Sequence, residues 1–170
     1  RDMKEWIPKI RTYLEYMSDI ITTVKGQAVA SLSTDDSEEF TISELVKRVN
    51  ILMKHELKNA YIYLNILMKV DENIVIDGNV NVLVQVVNNI ISNAIQAYDG
   101  KHDQNIQFEI SQKENNMIFS ITDFAGGLSK EVQDRLFKEM VTTKGKNGTG
   151  LGLYMSYSNI KAHFGGDITY

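Results

Sequence analysis

The sequence predicts an α+β fold, a two-layer sandwich with helices on one face of a mixed, mostly antiparallel sheet, preceded by a long N-terminal helix. Three observations carry that prediction. The run Gly78–Tyr98 has apolar residues at helical spacing, namely Val82, Leu83, Val86, Val87, Ile90, Ala94 and Ile95. Two later segments alternate as half-buried strands do, Ile106, Phe108, Ile110 and then Met117, Phe119, Ile121. Near the start, Ile7, Ile10, Leu14, Met17, Ile21, Val24 and Ala28 alternate steps of three and four, which is a heptad seam.

Composition bounds the rest. The 170 residues suffice for one ordinary domain with a helical appendage, and 43% hydrophobic content is that of a globular chain. There is no cysteine, which excludes a disulfide framework and any thiolate metal site and is compatible with a reducing compartment. A net charge of −4 gives no support to nucleic-acid binding. No signal peptide or membrane-spanning run is visible, so no direct membrane contact is expected. Beginning at Arg1 without an initiator methionine, the chain reads as a piece of a longer protein.

In order, residues 1–34 read as a helix whose seam needs a partner helix, with Pro8 tolerated only if the helix begins close to it. The alternative is that this helix packs on its own chain. The polar, acidic stretch Ser33–Glu39 is the natural boundary. Thr41-Ile-Ser-Glu44 matches a capping box and opens a helix that ends near Lys58. Tyr61–Met68 alternates and reads as a strand, and Asn73–Ile76 as a short one. The central helix follows, then the Asp99-Gly100 turn and two strands joined by Glu114-Asn115-Asn116. Ser129 is placed to cap a short helix through Phe137. Met140–Gly150 reads as a lid-like loop, Leu151–Phe164 as a helix, and Asp167–Tyr170 as the start of a final strand.

The central helix carries the first chemical signal. Between Asp77 and Asp99 it has no charge, yet it holds five Asn and two Gln, which makes a membrane span costly. Gln85, Asn89, Asn93 and Gln96 fall on one stripe. Carboxamides offer neutral oxygens, suited to a hard cation such as Mg²⁺ that already has anionic phosphate ligands. A solvated amphipathic helix, or Asn used for capping, explains the same stripe equally well.

Two further segments point to a ligand. Asp123 is in phase with Phe119 and Ile121, and a carboxylate aimed at a core needs a donor such as an adenine amine. Capping of the next turn is the alternative. Ala125, Gly126 and Gly127 then let backbone approach a ligand closely. Downstream, Gly148-Thr-Gly-Leu-Gly152-Leu runs into a helix, a junction suited to phosphates, with Lys144 just upstream. That loop lacks the ending of a Walker motif.

Together, Asn89-Ile-Ile-Ser-Asn93-Ala, Asp123-Phe-Ala-Gly-Gly127-Leu, Leu136-Phe-Lys-Glu-Met-Val-Thr-Thr-Lys144 and Gly148-Thr-Gly-Leu-Gly-Leu153 resemble the N, G1, F and G2 boxes of the sensor histidine kinase ATP-binding domain. That domain belongs to the gyrase, heat-shock chaperone, histidine kinase and mismatch-repair (GHKL) ATPases. The resemblance spans about residues 40–170. It implies a partial dimerisation and phosphotransfer helix over 1–36 and an ATP-binding catalytic domain over 37–170, short at its C-terminus. It implies ATP and Mg²⁺ as ligands, with Asn93 and Asn89 at the metal and phosphates. Asp123 would hold adenine, with Gly127 and Leu128 shaping the pocket. Thr143, Lys144, Gly148, Thr149, Gly150, Leu151 and Gly152 would form the lid and its phosphate contacts.

The same resemblance implies a protein-histidine kinase, dimeric through its helical hairpin and partnered by a response-regulator receiver domain. Its location would be cytoplasmic, alone or as the cytoplasmic portion of a membrane-bound sensor. The phosphoacceptor histidine would lie outside this chain, and no residue here is assigned as catalytic. Three departures are visible: Ala125 replaces the first G1 glycine, Gln96 stands where many members have a lysine, and the sequence stops at Tyr170 where the family continues into one more strand. The alternatives are a nucleotide-binding regulatory module and an anti-sigma-type serine kinase on the same fold. His55-Glu-Leu-Lys-Asn59 imitates the acceptor box, but the interval from His55 to Asn93 cannot hold two long bundle helices.

Overall fold

The computed structural model describes residues 39–136 and 151–170. The expected seam helix over 1–34 and the loop over 140–150 lie outside the described residues. The chain divides into two compact units; of the described residues, 39–128 fall in one, and 129–136 with 151–170 in the other.

The first unit opens with a short strand, β1 (Glu39–Thr41), that runs directly into helix α1 (Ile42–Ala60). The sequence shows no alternation over three residues, so β1 was not among the expected elements. Thr41 is the N-cap, its Oγ1 accepting from the Glu44 amide at 3.2 Å. Glu44 itself accepts from Arg48 Nε at 3.1 Å, one turn along the helix. Ile42, Leu45, Val49 and Met53 form the buried stripe of α1. The helix ends where Tyr61 turns left-handed at φ 55° and its amide returns to the Lys58 carbonyl at 3.2 Å.

Strand β2 (Ile62–Met68) and strand β3 (Val75–Asp77) follow, then helix α2 (Val80–Ala97). Asn79 caps α2 by accepting from the Asn81 amide at 2.9 Å. Strands β4 (Gln104–Lys113) and β5 (Asn116–Thr122) form a hairpin whose turn uses Glu114 at φ 55°. β1 and β3 pair antiparallel, Phe40 opposite Ile76. The main sheet has the order β2-β4-β5. Within it β4 and β5 are antiparallel, but β2 and β4 are parallel, with Leu64 opposite Ile106. Among the described residues the main sheet is therefore mixed, with one parallel and one antiparallel pairing, as the sequence predicts. A parallel pair needs a long crossover, and α2 lies in the chain between β2 and β4 to supply it.

Alternation along β4 sets the layering. Ile106, Phe108 and Ile110 are fully buried, while Gln107 and Glu109 between them are not. On the opposite face Tyr63, Leu67 and Ile118 are exposed. The inner residues pack under α1 and α2, whose fully buried side chains include Ile42, Leu45, Val49 and Ile91. No helix among the described residues is long and apolar enough to cross a membrane.

In the second unit, helix α3 (Lys130–Arg135) is capped by Ser129, whose Oγ accepts from the Val132 amide at 3.4 Å. The expected continuation to Phe137 lies outside the described residues. Helix α4 (Leu151–Phe164) ends at the residue its sequence predicts. It closes on Gly165 at φ 60°, with the Gly166 amide returning to the Ile160 carbonyl at 3.3 Å. Asp167 holds Lys161 at 3.2 Å, and that hydrogen bond pushes the lysine above its ordinary pKa. The strand expected at Asp167–Tyr170 is not formed. The Ile168 amide turns to Asp167 Oδ1 at 2.9 Å, which takes it out of the ladder that a strand would need.

Central β4 makes a differential test of this layering possible. Phe108→Ala should cost about 3–5 kcal/mol of unfolding free energy, and Ile118→Ala on the exposed face of β5 under about 1 kcal/mol. Denaturant midpoints of the two variants measure the difference.

Candidate functional site

Helix α2 meets two different surroundings. Val82, Leu83, Val84, Val86, Val87, Ile91 and Ala94 are buried, while Gln85, Asn88, Asn89 and Asn93 are half-buried and Gln96 is exposed. The buried arc is broader than the sequence indicates: it takes in Val84 and Ile91, whereas Ile90 and Ile95 are only half-buried. The reason is that α1 covers a second side of α2. At one end Arg48 Nη1 donates to Asn81 Oδ1 at 2.7 Å, and at the other Ser92 Oγ donates to Glu56 Oε2 at 2.8 Å. Between those clamps, Gln85 Oε1 and Asn88 Oδ1 are buried without a hydrogen-bond partner among the described residues. Nothing in the sequence pairs Glu56 with Ser92 or Arg48 with Asn81; these contacts depend on how the helices cross.

The donor set of this helix bears on a metal. No group of three or more His, Cys, Asp or Glu among the described residues could hold an ion. Carboxamide oxygens alone cannot neutralise a hard divalent cation. They fit one that arrives with its own anionic oxygens, and so they fit Mg²⁺ bound to a triphosphate.

Asp123 continues the inward phase of β5 and is half-buried. Its Oδ1 accepts from the Ala125 amide at 3.0 Å, so the turn-capping role is real. That bond engages one carboxylate oxygen, and a carboxylate has a second to offer a ligand donor. The two readings of Asp123 are therefore compatible. The chain then passes through Gly126 at φ 123° and Gly127 at φ 75°, where only glycine is unstrained. Ala125 does not have a positive φ, so alanine stands there without strain in place of the first glycine. Leu128 follows, half-buried.

A residue the motifs do not include ties these parts together. Tyr98, 1% exposed, follows the last residue of α2. Its hydroxyl donates to the Asn105 carbonyl at the start of β4 and accepts from the Phe124 amide at 2.8 Å. The signal for it was present: Ile91, Ala94 and Tyr98 share the buried phase of α2, and a buried tyrosine needs a partner for its hydroxyl.

Asn89, Asn93, Asp123, Gly127 and Leu128 thus lie in one unit. Leu151 and Gly152 open α4 in the other unit. Thr143, Lys144, Gly148, Thr149 and Gly150 lie outside the described residues. An open depression of about 410 Å³ at the start of α1, lined by Thr41, Ser43, Glu44, Lys47, Arg48 and Ile51, contains none of the expected site residues. It has neither a glycine loop nor an inward carboxylate to recognise a base. His55 stands exposed on α1, its Nδ1 3.1 Å from Asn59 Nδ2.

Comparison with known proteins bears on the fold and the family. Over 150 residues the chain is 30% identical to sporulation kinase A of Bacillus subtilis (strain 168), covering 88% of this chain and 23% of that protein. The chain thus spans less than a quarter of that relative's length. The catalytic domain of histidine kinase ThkA superposes with a TM-score of 0.67 at 24% identity, covering 77% of this chain and 84% of that one. ThkA in complex with the response regulator TrrA superposes with a TM-score of 0.61 at 19% identity, over 84% of this chain and 42% of that one. These two establish a shared fold. Residues 78–170, more than half of the chain, match the family model for histidine kinase-, DNA gyrase B- and HSP90-like ATPases, and the chain belongs to that family.

Proposed function

We propose that this chain is the ATP-binding catalytic part of a two-component sensor histidine kinase. In the whole protein it would transfer the γ-phosphoryl group of ATP to a histidine on a dimerisation helix, and from there to a response-regulator aspartate. The observation that carries this reading is Asp123: a half-buried carboxylate in the inward phase of β5, bonded to the Ala125 amide at the mouth of a glycine turn, in a chain of this ATPase family. The relatives found are named as kinases or sensor proteins, which favours transfer over a purely regulatory module or a serine kinase.

Each residue has a distinct task in this scheme. Asp123 accepts from the adenine amine, and Gly127 and Leu128 form the wall against the ring. Asn93, with Asn89 one turn before it, would hold Mg²⁺ against the phosphate oxygens. The ion would supply charge neutralisation on the triphosphate. Thr143, Lys144, Gly148, Thr149 and Gly150 are assigned to the lid by motif. The amides that open α4 at Leu151 and Gly152 suit phosphate oxygens. Catalysis is then positioning and electrostatics, with the acceptor imidazole brought into line by the helical hairpin, for which residues 1–36 are proposed to supply one helix. A cytoplasmic location and dimerisation through that hairpin belong to the same reading.

Loss of the carboxamide tests the metal role. Asn93→Ala should weaken Mg-ATP binding by about 1–3 kcal/mol in a protein that remains folded. Calorimetric titration with Mg-ATP measures it, and unchanged affinity removes Asn93 from the site. The base role is tested by exchanging nucleotides. GTP presents a carbonyl where ATP presents an amine, so ATP should bind more tightly by at least about tenfold. Equal affinities would exclude Asp123 from base recognition.

The acceptor role of His55 is a separate matter. It sits on α1, inside the unit that holds Asp123, and not on a bundle hairpin. Incubated with labelled Mg-ATP, the chain should gain no acid-labile, base-stable phosphate at His55. Label that disappears in His55→Gln would overturn the division of the chain at residue 36.

A further inference from the structure

The hydroxyl of Tyr98 makes two bonds that no other side chain of that size can make together. It donates to a backbone carbonyl at the start of β4 and accepts from a backbone amide just past the end of β5. Phenylalanine makes neither bond, and an indole can only donate. The phenol is 1% exposed, so both bonds are made away from water, where leaving either backbone group unpaired is costly.

The location of the second bond gives it a functional meaning. Phe124 is the residue between Asp123 and Ala125. Its amide is held by Tyr98, while the next amide, that of Ala125, is held by Asp123 Oδ1. Two consecutive N–H groups are thereby fixed, one to α2 and one to the carboxylate itself. The backbone from Asp123 to Ala125 is then locked immediately before Gly126 and Gly127, whose positive φ angles would otherwise leave it a soft hinge. Tyr98 lies at the end of the helix that carries Asn93, just over one turn away. One hydroxyl therefore couples the carboxamide helix to the carboxylate loop. A tyrosine buried for packing alone could place its hydroxyl on any nearby carbonyl; this one takes the amide beside Asp123.

We propose that Tyr98 is a positioning residue for base recognition: its hydroxyl, anchored on the Asn105 carbonyl, holds the Phe124 amide and so fixes the direction in which Asp123 presents Oδ2. The inference rests on the role of Asp123 given above. It assigns Tyr98 no contact with the nucleotide and no part in phosphoryl transfer. Its effect is on how sharply the site distinguishes a base with an amine from one with a carbonyl.

The test compares Tyr98→Phe, Asp123→Asn and Val49→Ala in the same chain, measuring Mg-ATP and Mg-GTP affinities and thermal midpoints. Val49 is fully buried on α1 and serves as a control for general destabilisation. Tyr98→Phe should lower ATP affinity by about threefold to tenfold and narrow the ATP-to-GTP ratio. Val49→Ala, though less stable, should keep the wild-type ratio. A wild-type ratio in folded Tyr98→Phe, with the ratio lost in Asp123→Asn, overturns the positioning role and leaves the reading of Asp123 standing. A wild-type ratio in Asp123→Asn removes both. Should Tyr98→Phe not fold, amide exchange in the wild-type protein decides: the Phe124 amide should exchange far more slowly than that of Gly126, and equal rates overturn the proposal.

Discussion

Helix α2 has to satisfy opposite demands on its two sides without a single charge between Asp77 and Asp99. One arc is dry, built of Val, Leu, Ile and Ala, and lies against the layer made by β4 and α1. The other arc is made of carboxamides, which are polar enough to face a ligand and neutral enough to be half-buried. A lysine or aspartate in the half-buried positions would need a partner or would resist burial. Asn and Gln can be placed there at a cost of hydrogen bonds alone. The fold follows from this compromise, because the dry arc fixes where the sheet must be and the polar arc fixes where it cannot be.

The compromise is incomplete on the side facing α1. Arg48 and Glu56 satisfy Asn81 and Ser92 at the two ends of that seam, but the oxygens of Gln85 and Asn88 between them have no partners among the described residues. Replacing such a seam with packed aliphatic side chains is frequently neutral or stabilising in proteins. Its persistence here means that the α1–α2 contact is not optimised for adhesion alone. Buried polar pairs accept only a few relative settings of two helices, and so specify register where apolar packing would tolerate sliding.

Much of this was legible from residue order. The end of α4, the capping role of Thr41 and the alternation of β4 and β5 are local properties, set by neighbours within a few residues. The carboxamide stripe and the inward phase of Asp123 were legible for the same reason. What could not be read depends on distant partners. The parallel register of β2 on β4 and the three-residue β1 exist only through pairing, and at Asp167–Tyr170 the Ile168 amide is taken by a side chain instead. Tyr98 is intermediate: its burial follows from its phase with Ile91 and Ala94, but its two backbone partners come from segments the helix does not know about. Thr143, Lys144, Gly148, Thr149 and Gly150 stand on motif similarity, while Ala125 is a departure from the motif that the backbone there accommodates without strain.

The parallel pairing of β2 with β4 also has a kinetic meaning. Ile62 meets Gln104, so the whole of β3 and α2 is enclosed in the loop that must close before the main sheet exists. Closing a long loop is slow relative to forming the β4–β5 hairpin, whose ends are adjacent in sequence. The hairpin can therefore be present before the crossover is in place, with Asp123 at its tail and the carboxamide helix still undocked. Nucleotide binding competence would then be acquired late and all at once, when α2 settles across the sheet. The same placement makes α2 costly to detach once the unit is folded, because its apolar arc would be returned to water.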